Sequence, residues 1–291
     1  MTGKNIIWLA SYPKSGNTWF RAFLSALRNG GKVDINNIAT SGIFSSKTTF
    51  ETVCDTDADE LTRREAQTQN REVYRYLSGQ HPEKIFIKVH DAFICDDDGI
   101  PLIPEDATHC AVYFVRNPLD VAISFANHNN RSVDHAIHKY LNNPECTLAK
   151  RPVDSQFPQP LLSWSGHVES WLRRPQFPVH MVRYEDMLAD TFTVFSELVR
   201  KMGLTHTDDE IRAAIAASSF DALRRQEAEK GFREKNPESP RFFNTGTAGR
   251  WKKVLTQEQA DSIKEHHGVI MQDVGYTIHK NTGSAGAGKK D

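Results

Sequence analysis

The residues of this chain that are best suited to chemistry lie in the turn after its first apolar run, Ile6–Ala10. The turn carries Lys14, Ser15 and Gly16, and a helical pattern follows that begins with Asn17, Thr18 and Trp19. A turn between a strand and a helix directs backbone N–H groups and the helix dipole at an anion. Lys14 adds a positive charge, Gly16 lets the backbone approach a ligand closely, and the hydroxyls add donors. The pattern therefore predicts a site for a phosphorylated ligand.

This turn is not the common nucleotide-binding loop. A Walker A motif reads G-x-x-x-x-G-K-[ST], with the lysine directly after the second glycine. Here Lys14 precedes Gly16, and Ala10 or Ser11 stands where the first glycine would be. An ordinary strand-to-helix turn with an exposed lysine therefore remains an alternative.

A second candidate pair, Lys88 and His90, closes the apolar run Ile85–Val89. Because side chains alternate along a strand, the two lie on the same face. A histidine takes a proton from a hydroxyl or amine near neutral pH, and a nearby lysine stabilises negative charge on a leaving group. Taken alone, the pair is also typical of a solvated strand end.

A third candidate site follows the apolar run Ala111–Val115. Arg116 ends the run, Pro118 suits the first turn of a helix, and Ser124 lies two turns along that helix. The planar guanidinium of arginine suits a phosphate. A structural ion pair between Arg116 and Asp120 is the alternative.

These sites need elements that bring them together, and the periodicity predicts an α/β fold. Buried parallel strands are predicted at Ile6–Ala10, Ile85–Val89, Ala111–Val115 and Val179–Val182. Helices are predicted at Thr18–Leu27, Leu119–Ala126, Leu161–Arg173, Phe192–Met202, Thr207–Ala216, Phe220–Glu229 and Gln257–Met271. The prediction is one three-layer domain, with a central parallel sheet flanked by helices and a P-loop-like strand–loop–helix unit. Such sheets bind ligands at the carboxyl ends of their strands.

Three polar or proline-rich segments resist these patterns, namely Asn37 to Thr56, Tyr140 to Pro160 and Gly231 to Lys253. Long irregular segments inside a compact domain are usually functional, so they are predicted to form a substrate gate and a cofactor lid. The domain is predicted to span residues 1–280. The Gly/Ala/Ser/Lys-rich end, residues 281–291, is predicted to be a disordered tail.

Composition narrows the function further. A balance of 36 basic and 37 acidic residues gives a net charge of −1, which argues against general binding to nucleic acid or to a membrane surface. The four cysteines show no zinc-type spacing, so we expect a reducing compartment and no metal. The polar start and the lack of a long apolar stretch predict a cytoplasmic protein.

Together, the three sites resemble those of the cytosolic-type sulfotransferases, which use 3′-phosphoadenosine 5′-phosphosulfate (PAPS). Tyr12 to Trp19 is similar to that family's loop for the 5′-phosphosulfate, usually Y-P-K-S-G-T-T-W. The stretch from Phe114 to Ser124 resembles the segment whose Arg and Ser hold the 3′-phosphate. Lys88-Val89-His90 is similar to the K-x-H that carries the catalytic base. The resemblance runs from about residue 5 to about residue 275.

Further motifs extend the resemblance and imply more cofactor contacts. Ser163 to Trp171 resembles the family helix S-W-x-x-H-V-x-x-W. The resemblance implies that Tyr184, Ser218 and Phe220, with Trp19, surround the adenine. The lid pattern R-K-G-x-x-G-x-W-K is met by Gly246, Gly249, Trp251 and Lys252, but Asn244 and Thr245 replace its basic pair. The lid is therefore expected to hold the 3′-phosphate less tightly, unless Arg241 or Arg250 substitutes. The dimerisation segment is met only in part, so a monomer and a homodimer both remain open.

The resemblance implies sulfuryl transfer from PAPS to a hydroxyl, or less readily an amine, of a small-molecule acceptor, with adenosine 3′,5′-bisphosphate (PAP) as product. His90 would act as base and Lys14 and Lys88 as catalytic cations, without a metal. Alternatives are a P-loop-type small-molecule kinase and a non-catalytic nucleotide-binding protein of the same fold. The acceptor is expected among Asn37–Thr56, Phe93–Asp98 and Tyr140–Pro160. The nearby His128, His135 and His138 are interpreted as surface residues.

Overall fold

The computed structural model describes residues 3–38, 40, 42–149 and 155–277. Its strands are β1 (Ile6–Ser11), β2 (Ile85–Val89), β3 (Thr108–Val115), β4 (Thr147–Leu148), β5 (Gln159–Pro160) and β6 (Val179–Arg183). All four predicted strands are present, within a few residues of the predicted bounds. The short pair β4 and β5 lies in the segment from Tyr140 to Pro160, where no regular element was predicted.

The helices are α1 (Asn17–Arg28), α2 (Lys47–Cys54), α3 (Arg63–Gln80), α4 (Pro118–Asn129), α5 (Val133–Ala136), α6 (Trp164–Arg173), α7 (Tyr184–Ala189), α8 (Thr191–Lys201), α9 (Asp208–Ala217), α10 (Phe220–Lys230), α11 (Trp251–Val254) and α12 (Gln257–Asp273). A π-helical turn, Ile137–Leu141, continues α5, and a 3₁₀ turn covers Ala58–Glu60.

The main sheet has the order β2-β1-β3-β6, and each neighbouring pair is parallel. Alternate residues of β1 point to opposite faces. Ile6 and Trp8 join one hydrophobic cluster, whereas Ile7 and Leu9 join another. Because strands buried on both faces need helices on both faces, this arrangement explains the near-continuous apolar runs. The predicted three-layer α/β architecture is confirmed.

Helix α3 is the largest element that the sequence prediction missed. It spans 18 residues and buries only a narrow stripe that includes Val73 and Tyr74. Because most of its residues are charged or polar, the apolar periodicity of the helix is weak. Its start does carry a helix signal, a capping box in which the side chains of Thr62 and Glu65 each accept from the other's backbone N–H. Helix α2 likewise lies inside Asn37 to Thr56, where an irregular segment was predicted. The segment from Leu161 to Ser163 precedes α6, because Ser163 caps that helix.

The sheet brings the three predicted sites to one edge. Strands β1, β2 and β3 run in parallel, so the residues after their carboxyl ends, among them Lys14, His90 and Arg116, lie side by side. Within the described ranges, no helix is both long and apolar enough to cross a membrane. The predicted tail, residues 281–291, lies outside the described residues.

Candidate active site

A cavity of about 320 Å³ opens at this carboxyl edge, between the sheet and the segment from Gly231 to Lys253. Twelve of the residues predicted to bind or react line it, namely Lys14, Gly16, Asn17, Thr18, Trp19, Lys88, His90, Arg116, Ser124, Tyr184, Phe220 and Gly246. Ser15 and Ser218 do not line it.

The loop between β1 and α1 has a conformation that only glycine adopts easily at Gly16. Its φ is +101°, and a Cβ at this position would lie 2.8 Å from Cδ2 of Tyr184. Lys14 also has a positive φ, of 72°. Gly16, Asn17 and Thr18 line the cavity at the start of α1, where the first turn of a helix leaves N–H groups without intrahelical acceptors. The loop can therefore hold an anion close to the backbone.

Lys14 is half-buried, and no carboxylate of the described residues forms an ion pair with it. Its Nζ lies 3.9 Å from the ring centroid of Phe242. Burial, followed by the nearby charges of Arg116 and Lys88, lowers the pKa of Lys14 to about 7. A bound anion favours the charged form of a neighbouring lysine, so Lys14 gains charge when an anionic ligand arrives.

The side chains of Ser15 and Asn17 are turned into the protein, although the sequence predicts that both residues bind the ligand. Ser15 is fully buried, and its Oγ has no hydrogen-bond partner in the described part of the chain. The side-chain amide of Asn17 turns inward and donates to the carbonyl oxygen of Leu9 at 2.7 Å and to Oγ of Ser11 at 3.3 Å. Asn17 therefore braces the loop through its side-chain amide.

His90 is held in one tautomer. Its Nδ1 lies 2.9 Å from the carbonyl oxygen of Ser11, and because a carbonyl only accepts, Nδ1 carries the proton. The Nε2 atom is then the basic nitrogen. Burial, followed by the charge of Lys88, holds the pKa of His90 well below its usual range. The imidazole is therefore neutral at physiological pH and ready to accept a proton.

A buried pair fixes the backbone of His90. The hydroxyl of Tyr113 lies 2.8 Å from Nδ1 of His167, and Nε2 of His167 donates to the carbonyl oxygen of His90 at 2.9 Å. Burial lowers the pKa of His167 to about 4, so it is neutral. The histidine of the helix motif around Ser163 to Trp171 thus supports the strand end that carries the base.

An acidic residue that the sequence did not single out lies in the cavity. Glu234 accepts from Nζ of Lys88 at 2.9 Å and pairs with Arg21 at 2.8 Å. Burial opposes ionisation of Glu234, but Lys88 and Arg21 outweigh it and hold its pKa well below the usual range. Burial also lowers the pKa of Lys88, and Glu234 offsets part of that effect. Neither Glu234 nor Arg21 stands in a motif, so only their spatial convergence reveals them.

Arg116 does not contact Asp120. It contacts the loop between β1 and α1 and the segment from Gly231 to Lys253, here called the lid. It donates to the carbonyl oxygens of Lys14 and Thr247, each at 3.1 Å, and its guanidinium lies 4.3 Å from the ring centroid of Tyr184. Asp120 instead accepts from the backbone N–H groups of the lid. The alternative of an Arg116–Asp120 ion pair is therefore wrong.

The aromatic residues predicted around the adenine line one end of the cavity. The rings of Trp19 and Tyr184 meet edge to face, with centroids 6.2 Å apart. Phe220 packs so closely on Gly246 that a Cβ there would lie 2.5 Å from the ring. Ser218 departs from its predicted role, because its buried hydroxyl donates to the carbonyl oxygen of Ala214 at 2.8 Å. This bond lies at the C-cap of helix α9 and keeps the hydroxyl from the cavity.

The end of the cavity near His90 is formed by two of the three segments expected to bind the acceptor. Ile43 comes from the first, and Leu148, Gln156 and Gln159 come from the third. No residue of Phe93–Asp98 lines it in the described structure, because Phe93 is buried against Trp171. His128 does line it, contrary to its interpretation as a surface residue. Burial, with Lys14 and Lys88 nearby, lowers the pKa of His128 to about 3.

Comparisons with known proteins show the family of the chain. The sulfotransferase domain model matches residues 4–275, which is nearly the whole chain. The chain belongs to the sulfotransferase family. Rat sulfotransferase 2A6 is 25% identical over 268 residues, covering 88% of this chain and 80% of that protein. Cytosolic sulfotransferase 15 of Arabidopsis thaliana is 25% identical over 270 residues, covering 89% of this chain and 70% of that protein.

Solved structures share the fold of this sulfotransferase. Mouse sulfotransferase SULT7A1 complexed with PAP has a TM-score of 0.60 at 19% identity, covering 94% of this chain and 87% of that one. Retinol dehydratase in complex with androsterone and the inactive cofactor PAP also has a TM-score of 0.60, at 16% identity. The match covers 96% of this chain and 83% of that one. These structures confirm the predicted fold, and the match to the sulfotransferase domain model confirms the predicted class of enzyme.

The described residues of this sulfotransferase include no group of three or more His, Cys, Asp or Glu side chains placed to hold a metal ion. Lys14, Lys88 and Arg116 are among the cationic side chains that line the cavity.

A buried carboxyl next to His90 should make the stability of the sulfotransferase depend on pH. Burial raises the pKa of Asp91 to about 7, and its Oδ2 finds no hydrogen-bond partner among the described residues. Between about pH 4 and pH 7 the unfolded chain loses this proton while the folded protein keeps it, so stability falls as pH rises. We expect Asp91→Asn to remove this loss and to stabilise the protein by about 2–4 kcal/mol at pH 8 relative to pH 4.

Urea unfolding of both proteins at pH 4 and pH 8 measures the difference. Asp97→Asn is the matched control, because it removes the same charge from an exposed side chain. An Asp91→Asn effect that is equal at the two pH values would contradict the burial of an ionisable carboxyl here.

Proposed function

We propose that this protein transfers a sulfuryl group from PAPS to a hydroxyl of a small-molecule acceptor, with His90 as general base. The observation that carries the proposal is the convergence of Lys14, Lys88 and His90 in one cavity, with Nδ1 of His90 bound to Ser11 and Nε2 left basic. A hydroxyl needs a base to leave its proton, and a positioned histidine is the common solution.

The cavity fits a nucleotide with two anionic ends. Arg116 lines the cavity, and its buried Nε has no hydrogen-bond partner among the described residues, so it is free to donate to a phosphate oxygen. Lys14, Gly16, Thr18 and the backbone of Asn17 would hold the 5′-phosphosulfate, Arg116 and Ser124 the 3′-phosphate, and Trp19, Tyr184 and Phe220 the adenine. When bound, PAPS supplies the sulfuryl group and a phosphate leaving group.

The side chains then have separate tasks. Nε2 of His90 takes the proton of the acceptor hydroxyl. Lys14 and Lys88 neutralise the charge that develops on the leaving phosphate oxygen, where a low-dielectric cavity makes them effective. Tyr113 and His167 keep the base in position through the carbonyl oxygen of His90.

We also propose that residues 1–280 form one catalytic domain that works in the cytoplasm, with an amine as a less favoured acceptor. The curated relatives include proteins named as cytosolic sulfotransferases. The mixed wall near His90, which combines Ile43 and Leu148 with Gln156 and Gln159, accommodates a small organic acceptor.

Titration calorimetry with PAP, in buffer containing EDTA, tests the cofactor site directly. We expect micromolar binding to the wild type and binding weaker by about 10- to 100-fold in Lys14→Ala, because one charged contact to a phosphate is lost. Lys32→Ala removes a lysine that does not line the cavity, and should bind like the wild type.

Binding of ATP with Mg²⁺ in place of PAP would overturn the proposal in favour of a kinase. If the protein binds neither nucleotide, the fold serves a purpose without this cofactor. Equal affinities of wild type and Lys14→Ala would remove the assigned role of Lys14.

A further inference from the structure

The lid carries a guanidinium that no described acidic residue neutralises. Arg250 stands just before α11 and lines the cavity, and within the described ranges no ion pair involves it. Its side chain donates from Nη1 to Oγ1 of Thr245 at 3.3 Å, its one side-chain hydrogen bond within the described structure. A charge that lines a cavity without a counter-ion is suited to an anionic ligand.

The backbone on both sides of Arg250 is fixed to helix α4. The N–H of Gly249 donates to Oδ2 of Asp120 at 2.6 Å, and that of Trp251 donates to Oδ1 at 3.0 Å. One carboxylate thus fixes both neighbours of Arg250. Ser124 stands one helical turn after Asp120, on the same face of α4. Arg250 is therefore held over the helix face that presents Ser124.

Arg116 reaches the same stretch of lid from the opposite side. It donates from Nη2 to the carbonyl oxygen of Thr247, two residues from the Thr245 hydroxyl that Arg250 contacts. Between these two threonines, Gly246 packs directly on the ring of Phe220, and this contact holds the lid against helix α10. Two guanidinium groups therefore converge on one short segment, next to Ser124.

We propose that Arg250 binds the 3′-phosphate of the nucleotide together with Arg116 and Ser124. The inference rests on the proposed function and adds to it the source of positive charge in a lid whose residues 244 and 245 are uncharged. Arg250 lets this chain distinguish a 3′-phosphorylated nucleotide from one that carries only a 5′-phosphate. Arg241 also lines the cavity, but its side chain makes no hydrogen bond to residues 245–247 in the described structure.

Calorimetry with two nucleotides tests the assignment without an acceptor. PAP and adenosine 5′-phosphate are titrated into wild type, Arg250→Gln and Arg241→Gln. We expect Arg250→Gln to weaken the binding of PAP by about 10- to 30-fold and that of adenosine 5′-phosphate by less than about 2-fold. Only PAP carries the 3′-phosphate that Arg250 is proposed to contact. Arg241→Gln is the matched control, and should treat the two nucleotides alike.

A charge relocation strengthens the test. Adding Thr245→Lys to Arg250→Gln returns a cation to the same segment and should recover most of the lost affinity for PAP. The inference is overturned if Arg250→Gln weakens the binding of both nucleotides equally or of neither. It is also overturned if Arg241→Gln causes the selective loss of affinity for PAP. In each of these cases wild-type binding of PAP still stands, so the proposed function survives. Failure of the wild type to bind PAP would overturn both.

Discussion

Replacing His90 by alanine should slow sulfuryl transfer by about 10²- to 10⁴-fold, the range that a general base contributes. Affinity for PAP should stay nearly unchanged, because the residues assigned to the nucleotide are others. The structure explains the size of the effect. Nδ1 of His90 is bound to the carbonyl oxygen of Ser11, and the strand end is held by His167, so the basic Nε2 is presented in a fixed position. No other described histidine combines this tautomer with a place beside Lys88.

The measurement is the rate of PAP formation from PAPS with an acceptor found by screening, alongside calorimetry with PAP. His138→Ala is the matched control, since it removes an exposed imidazole that does not line the cavity. Retention of more than about a tenth of the activity by His90→Ala is incompatible with a general-base contribution of this size. His128 lines the cavity and would then be the next base to test.

Replacing Gly16 by alanine should weaken PAP binding by about 30-fold or more. A side chain at φ +101° is strained, and its Cβ would lie 2.8 Å from the ring of Tyr184. That ring is not free to move, because the guanidinium of Arg116 covers one side and Trp19 meets its edge. Left-handed strain and overpacking each cost about 1–3 kcal/mol, and the loop relieves them by leaving the conformation that holds the anion.

Calorimetry with PAP and thermal unfolding measure the two consequences of Gly16→Ala. Gly79→Ala is the control, because a Cβ at Gly79, in helix α3, meets no atom within 4 Å. The control should bind PAP normally and be slightly stabilised by its higher helix propensity. Wild-type affinity in Gly16→Ala would show that the loop tolerates a side chain and that its backbone does not cradle the phosphate.

Local sequence patterns determined the framework of the site. Strands β1, β2, β3 and β6 were predicted because buried parallel strands are continuous apolar runs, which need no knowledge of the rest of the chain. Lys14, His90 and Arg116 each follow such a run within four residues, and parallel strands end at a common edge. The places of Lys14, His90 and Arg116 therefore followed from the sequence, as did the family. Helix α3 escaped, because its buried stripe is narrow and its other faces are charged.

Tertiary packing decided everything that depends on residues far apart in the chain. Glu234 meets Lys88 across 146 positions, and no spacing rule connects them. The side chain of Asn17 turns toward Leu9, the hydroxyl of Ser218 donates to the carbonyl oxygen of Ala214, and His128 lines the cavity. Sequence determined which residue types stand at the strand ends, since periodicity and turn chemistry are local. Only the folded chain determined which way each polar side chain points, since a buried polar group takes whatever partner packing brings within reach.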